Sequence, residues 1–186
     1  MKKVFGFGLI LIALVTLFVI FMFKTPTKKS NQDQPTFAPN AKTKITNNQA
    51  QEVAEFKAKL YNLINAYRKE NGLSPLLVNP QLETSANLKL NDMMAHHTWN
   101  HLDNQNRPPW QFFKQAGYAY KKAGENLGFN QPSAFAVFDA WTKSPTHNQQ
   151  LLNKDYEHMG LAVDCHSLKE LDNQAGCLVV LHLGKL

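Results

Sequence analysis

Three residues of this 186-residue chain stand in contexts that favour chemistry over packing. Glu125 lies in Ala-Gly-Glu-Asn-Leu, between a glycine and apolar neighbours, where an acid is hard to explain as part of a solvated face. His147 ends Ser-Pro-Thr-His, in the first turn of a short predicted helix, from which its ring can project into a cleft. His101 follows the predicted second helix. Taken singly, each also has an ordinary explanation as a turn or surface residue.

Other arrangements of these residue types are less informative. His97 and His101 are four residues apart and could hold a metal with His96, but histidines at a helix end also suit the negative end of its dipole. The sequence contains no His-Glu-x-x-His, no Gly-x-Ser-x-Gly and no glycine-rich phosphate loop followed by lysine. Local spacing alone therefore predicts no particular reaction.

The elements that must position these residues are helices followed by strands. Apolar residues at helical spacing predict a first helix from near Gln49 to Asn71-Gly72, and Asn79-Pro80 starts a second with a cap and an N1 proline. Three shorter helices follow, over 109–116, 132–143 and 145–152. The second of these, the fourth helix of the domain, is expected to bury Phe135, either Val137 or Phe138, and Trp141. Strands are expected at 76–78, 125–128, 160–163 and 178–181. This order predicts an α+β domain with helices covering a small antiparallel sheet.

In order and spacing, these motifs resemble the CAP superfamily (the SCP domain of cysteine-rich secretory, antigen 5 and pathogenesis-related proteins), in its bacterial branch. The resemblance covers about 56–183. It is carried by Leu-Ile-Asn-x-Tyr-Arg-x-x-x-Gly-Leu-x-Pro-Leu at 63–76, Leu-x-x-x-Ala at 82–86, Asn-His at 100–101, Ala-Gly-Tyr at 116–118, Gly-Glu-Asn-Leu at 124–127, Ala-Trp-x-x-Ser-Pro-x-His at 140–147 and Tyr-x-x-Met-Gly-Leu-Ala at 156–162.

The resemblance implies an α-β-α sandwich with a cleft lined by two histidines and acids. Carried over to this chain, the histidines are His101 and His147 and the first acid is Glu125, while Ser144 stands where the family commonly has a second acid. Two imidazoles and a carboxylate suit Zn²⁺ or another divalent ion, so these three residues are the expected metal ligands. Ser144 could be drawn as a nucleophile with His147 and Glu125, but as the expected N-cap its hydroxyl should bond backbone amides.

Location is predicted from the N-terminus and the cysteines. Val4–Phe23 is apolar and long enough to span a bilayer, with no cleavage site after it, which predicts an uncleaved anchor over 1–24. A polar linker over 25–49 would then lead to a domain over 50–186.

Cys165 and Cys177 flank a polar segment between two predicted strands and are expected to form a disulfide, unless they are two unrelated buried thiols. A disulfide places the domain outside the cytoplasm.

The distribution of charge along the chain argues against one class of function. Of 20 basic and 14 acidic residues, seven and one lie in the first 50 residues, so the predicted domain is neutral. Nucleic-acid binding is therefore not expected.

The missing second acid favours a cell-membrane module that binds an extracellular ligand or cell-envelope component, with a divalent metal in its cleft. The alternatives are a metal-dependent hydrolase of peptide or cell-envelope material, using Glu125, and a lipid or sterol carrier.

Overall fold

The computed structural model describes residues 47–166 and 176–186. Five helices and four strands follow one another as α1 (Asn47–Glu70), β1 (Leu77–Val78), α2 (Pro80–His96), α3 (Trp110–Gln115), β2 (Lys122–Gln131), α4 (Ala134–Lys143), α5 (Pro145–Leu151), β3 (His158–Asp164) and β4 (Cys177–Lys185). Every helix and strand expected from the sequence is present. The first helix starts two residues before its expected start near Gln49.

The helix boundaries have local causes. Asn79 is extended and its side-chain oxygen accepts hydrogen bonds from the backbone N–H groups of Gln81 and Leu82, which caps α2 ahead of Pro80. Gly117 follows α3 with φ of 75°, a left-handed conformation that ends the helix without strain. The caps predicted from sequence at these two places are confirmed.

The sheet has the order β1-β3-β4-β2. β4 lies antiparallel to both β2 and β3, but β1 pairs with β3 in parallel through Leu77 and Val78. The prediction of an antiparallel sheet is therefore wrong for this edge. Between β1 and β3 the chain passes through α2, α3, β2, α4 and α5, and parallel neighbours require a long crossover connection of this kind.

Alternate residues of the central strands face two different helical layers. Leu161, Val179 and Leu181 pack against α1 and α4, whereas Ala162 and Val180 pack against α2. Both faces of the sheet are thus covered, which explains the nearly continuous apolar runs of β3 and β4. The domain has the three layers of an α-β-α sandwich.

The structure also tests the predicted burial of Phe135 and the predicted disulfide. Phe135 was expected in the core but is 58% exposed, because Ala134, Val137 and Trp141 form the buried stripe of α4 and Phe135 lies beside it. Cys165 and Cys177 form the predicted disulfide, which joins the end of β3 to the start of β4.

The structure leaves the membrane prediction open. In residues 47–166 and 176–186, no helix has both the length and the apolar character needed to cross a bilayer. The predicted anchor Val4–Phe23 and the linker up to residue 46 lie outside the described residues.

Gly160 in β3 is a point of close approach between α2 and the sheet. A Cβ atom placed there would collide with the backbone of Leu82 and Glu83. We predict that Gly160→Ala destabilises the domain by about 1–3 kcal/mol, the usual range for overpacking, as measured by urea unfolding. Gly128→Ala is the matched control on the same sheet, because its new methyl group would meet its nearest neighbour at 3.4 Å. Equal stability of the two variants would contradict this account.

Candidate functional site

A cavity of about 300 Å³ opens along the edge strand β2, between the α3 side and the α5 side of the sheet. All three residues singled out from the sequence line it. The full lining is His101, Pro109, Trp110, Ala123, Gly124, Glu125, Asn126, Thr146, His147 and Gln150. A second cavity of about 320 Å³ follows β2 farther along and shares His147 with the first.

Glu125 is the centre of the polar network in this cleft. It lies in β2 directly opposite His182 of β4, and its side chain is 1% exposed. One carboxylate oxygen, Oε1, lies 2.6 Å from Nδ1 of His101, and the other, Oε2, lies 2.9 Å from Nε2 of His182. Both oxygens of the buried carboxylate therefore have an imidazole partner.

The charge of Glu125 is stabilised despite its burial. Burial by itself raises the pKa of this carboxyl, but the hydrogen bonds from His101 and His182 and the nearby Lys89 ammonium outweigh it and hold the pKa below its usual value. Lys89 is itself fully buried, and burial lowers its pKa although Glu125, Asp92 and Asp103 oppose that shift. A carboxylate at position 125 is thus the form that the site favours.

His101 lies in the loop after α2, and hydrogen bonds at His101, Leu102 and Asp103 hold this part of the loop. Its Nδ1 bonds Glu125, and its side chain is 55% exposed on the cleft side. The ammonium of Lys89 donates to the carbonyl of Leu102 at 2.9 Å, which fixes the next residue of the loop. The buried carboxylate of Asp103 accepts from the backbone N–H groups of Gln105 and Arg107 and from the Arg107 guanidinium. These contacts anchor the loop that carries the histidine.

His147 occupies the first turn of α5, as predicted, and its ring is oriented by a hydroxyl. Ser144 Oγ lies 2.9 Å from Nδ1 of His147. Ser144 is the N-cap residue of α5, but its side chain makes no capping bond to the backbone. The expectation that this hydroxyl is engaged by backbone amides is therefore wrong, because the histidine three residues later competes for it. Burial, followed by the neighbouring His101, lowers the pKa of His147.

The same region of the chain matches a known family. A model of the cysteine-rich secretory protein family, CAP, matches residues 61–176, which is more than half of the chain. The chain belongs to the CAP family.

Two curated relatives come from Bacillus subtilis strain 168. The chain is 32% identical over 139 residues to the uncharacterized protein YkwD, a match that covers 73% of this chain and 54% of that protein. It is 27% identical over 105 residues to the uncharacterized membrane protein YlbC, covering 56% of this chain and 30% of that protein. The chain thus spans about half the length of the first relative and under a third of the second.

Solved structures share the fold. An outer surface protein of Borrelia burgdorferi superposes with a TM-score of 0.61 at 23% identity, over 71% of this chain and 94% of that one. An extracellular protein of Bacillus anthracis that contains an SCP domain gives a TM-score of 0.63 at 19% identity, over 75% and 44%. These relatives are extracellular or surface proteins by name, and YlbC is a membrane protein by name.

The CAP fold brings together the residues that the sequence analysis selected. His101, Glu125 and His147 come from a loop, a strand and a helix, yet line one cavity. Across residues 47–166 and 176–186, no three histidine, cysteine or acidic side chains converge as metal ligands. His97 is the C-cap residue of α2, and its ring centroid lies 6.5 Å from that of Trp99. The predicted three-residue ligand set remains a prediction.

Among the buried polar residues that the sequence analysis did not select are Ser85, Lys89 and His182, which contact or face Glu125 and its partners. Ser85 and Lys89 recur at helical spacing within the apolar stripe of α2, and His182 interrupts the apolar run of β4. A polar residue at a position that must be buried is the signal that could have identified them. That signal does not indicate which residues these side chains contact.

The loop at Asp103 should make the CAP domain acid-sensitive. Burial raises the pKa of Asp103, but hydrogen bonds from Gln111, Arg107 and Gln105 hold it well below the usual value. A lowered folded-state pKa stabilises the protein above the unfolded value, and this stability is lost as the pH falls through the folded value. We therefore predict a loss of stability from about pH 5 downwards, read from urea midpoints at pH 7, 5 and 3.

In Asp103→Asn the midpoint should be lower at pH 7 and should depend less on pH. The matched control is Asp139→Asn, which alters an exposed carboxylate paired with Lys143. If Asp103→Asn shows the same acid dependence as the unmodified chain, the contribution of this loop is smaller than its hydrogen bonds imply.

Proposed function

We propose that this chain is a surface binding module whose cleft holds a divalent metal ion through the Nε2 atoms of His101 and His147. The observation that carries the proposal is the common geometry of the two rings. They line one cavity, and in each ring Nδ1 already pairs with an oxygen, from Glu125 at 2.6 Å and from Ser144 at 2.9 Å. Metal-binding histidines in proteins typically use their second nitrogen for such a partner.

Glu125 has a different role in this proposal from the one expected from sequence. Both of its oxygens lie within hydrogen-bond distance of an imidazole, so it orients His101 and supplies negative charge close to the ion. Two imidazoles leave the remaining coordination positions of a tetrahedral ion for water or for a ligand. An ion held in this way supplies a Lewis acid that a ligand oxygen or nitrogen can bind. Thr146, Gln150 and Trp110 line the walls that a ligand would contact.

A metal-dependent hydrolase of peptide or cell-envelope material is the second candidate. The observation in its favour is the short bond between Glu125 and His101, which is the arrangement of a general base and its orienting carboxylate. The absence of a second carboxylate at Ser144 favours binding over acid–base chemistry. Hydrolysis that needs the metal and disappears in Glu125→Gln, with the fold intact, would select the hydrolase.

The membrane location belongs to the same proposal. We place the domain outside the cytoplasm, tethered through Val4–Phe23. The disulfide between Cys165 and Cys177 supports an oxidising compartment, and the names of the relatives support a surface location. The envelope itself is then the source of ligands or partners.

Native mass spectrometry of the full-length chain with and without Zn²⁺ tests the proposal. We predict one added metal per chain, lost on chelation and absent from His101→Ala/His147→Ala. His96→Ala/His158→Ala is the matched control, because it removes two histidines that pair with Asn104 and Tyr118 instead of lining the cleft. Equal metal binding by both double variants would reject the cleft as the site. The intact mass also reports whether the N-terminal segment is retained.

Ser144 should set the strength of metal binding. A neutral hydroxyl orients His147, whereas a carboxylate orients His101, so we predict that Ser144→Glu raises Zn²⁺ affinity about tenfold and Ser144→Ala lowers it. The measurement is isothermal titration calorimetry. Thr142→Ala, which removes a hydroxyl bonded within α4, should leave the affinity unchanged. A folded Ser144→Glu variant with unchanged or weaker affinity would contradict the orienting role.

A further inference from the structure

His182 is a buried histidine that touches the cleft residues without lining the cleft. Its side chain has no exposed surface, and its ring stacks on Phe113 with 4.4 Å between centroids. Its Nε2 lies 2.9 Å from Oε2 of Glu125, and its Nδ1 lies 2.8 Å from Oγ of Ser85 in α2. Four side chains therefore form one continuous hydrogen-bonded chain, Ser85–His182–Glu125–His101.

The chemistry of the four groups assigns the direction of each hydrogen bond. An ionised carboxylate only accepts, so Nε2 of His182 and Nδ1 of His101 donate to Glu125. Complete burial lowers the pKa of His182, and the Lys89 ammonium acts in the same direction while Glu125 opposes it. In a neutral ring that donates through Nε2, Nδ1 is an acceptor, and Ser85 donates its hydroxyl proton to it.

This hydrogen-bonded chain has one exposed end and one buried end. Ser85 and His182 lie in the core between α2 and the sheet, whereas the His101 side chain is 55% exposed on a loop. A carboxylate held at one oxygen by a core residue has a restricted plane, so the lone pairs of its other oxygen keep fixed directions. His101 meets that fixed acceptor with Nδ1, which leaves Nε2 as the ring nitrogen for a ligand.

We propose that His182, held by Ser85, is a positioning residue that fixes the Glu125 carboxylate and thereby presents Nε2 of His101 to the ligand. This inference rests on the proposed function, because it describes how His101 in the same cleft is oriented to bind a metal ion or a hydrogen-bond donor. It extends the site from the cleft surface across one face of the sheet to α2.

Histidine variants of matched size test the proposal. His182→Phe keeps an aromatic ring against Phe113 but removes both hydrogen bonds. His182→Gln can restore both, because its amide N–H donates to Glu125 and its carbonyl accepts from Ser85. His158→Phe is the control on the same sheet, where the histidine pairs with Tyr118. Ser85→Ala is a milder variant, which removes only the far end of the chain.

The first measurement is made on metal-free, full-length protein labelled with ¹⁵N in histidine. Two-bond ¹⁵N–¹H spectra distinguish the histidine tautomers. We expect His182 to be the Nε2–H tautomer and His101 to be the Nδ1–H tautomer in the unmodified chain and in His158→Phe. His101 should become a tautomer mixture in His182→Phe and return to Nδ1–H in His182→Gln. If His182→Phe does not fold, Ser85→Ala, which releases Nδ1 of His182, should still shift His101 part of the way towards a tautomer mixture.

The second measurement is Zn²⁺ affinity for the same set. It should fall about 10- to 100-fold in His182→Phe and recover in His182→Gln. A single His101 tautomer that persists in His182→Phe, or in Ser85→Ala where the Phe variant is unfolded, overturns the positioning role. If the tautomers respond as expected but neither the unmodified chain nor any variant binds Zn²⁺, the positioning role stands and the proposed metal function fails.

Discussion

A carboxylate buried in a β-sheet must have partners for both of its oxygens, and this requirement organises the structure around Glu125. The cost of an unpartnered buried charge is several kcal/mol, enough to cancel a large part of the stability of a domain this size. His101 and His182 supply the two hydrogen bonds, and Lys89 supplies compensating charge. They come from a loop, from β4 and from α2, so the site forms only when the layers are packed.

The layers pack closely enough to form the site because α2 approaches the sheet at Gly160. Gly160, His182 and Glu125 stand side by side across β3, β4 and β2. Because Gly160 has no side chain, the first turn of α2 contacts the sheet there, and Ser85 in the next turn reaches His182. One glycine thus links the spacing of two layers to the geometry of the cleft.

The two cleft histidines are held unequally, and this bears on what the cleft can do. His101 is tied to a buried carboxylate, whereas His147 is tied to a hydroxyl at the start of a short helix. A second carboxylate would give a paired acid and base. The single one here favours the proposed role in binding, with His101 as the more firmly oriented of the two rings.

The sequence by itself determined the local features of this protein. Helix starts follow from Asn79-Pro80 and Ser144-Pro145, buried strands from apolar runs, and the disulfide from two cysteines beside such runs, because these signals act over a few neighbouring residues. The order of the motifs was enough to select His101, Glu125 and His147. The buried side of α4 was assigned less well, since Phe135 and Val137 are both apolar and only packing decides between them.

Tertiary structure alone decided the partners. Nothing local to His182, Ser85 or Lys89 indicates that they support Glu125, because their contacts join residues 36 to 97 positions apart and depend on strand register and helix approach. The same reason applies to Ser144, whose hydroxyl could satisfy either backbone amides or His147, and to β1, whose parallel pairing depends on the path of the chain. Local sequence sets which groups can bond, and the fold sets which of them meet.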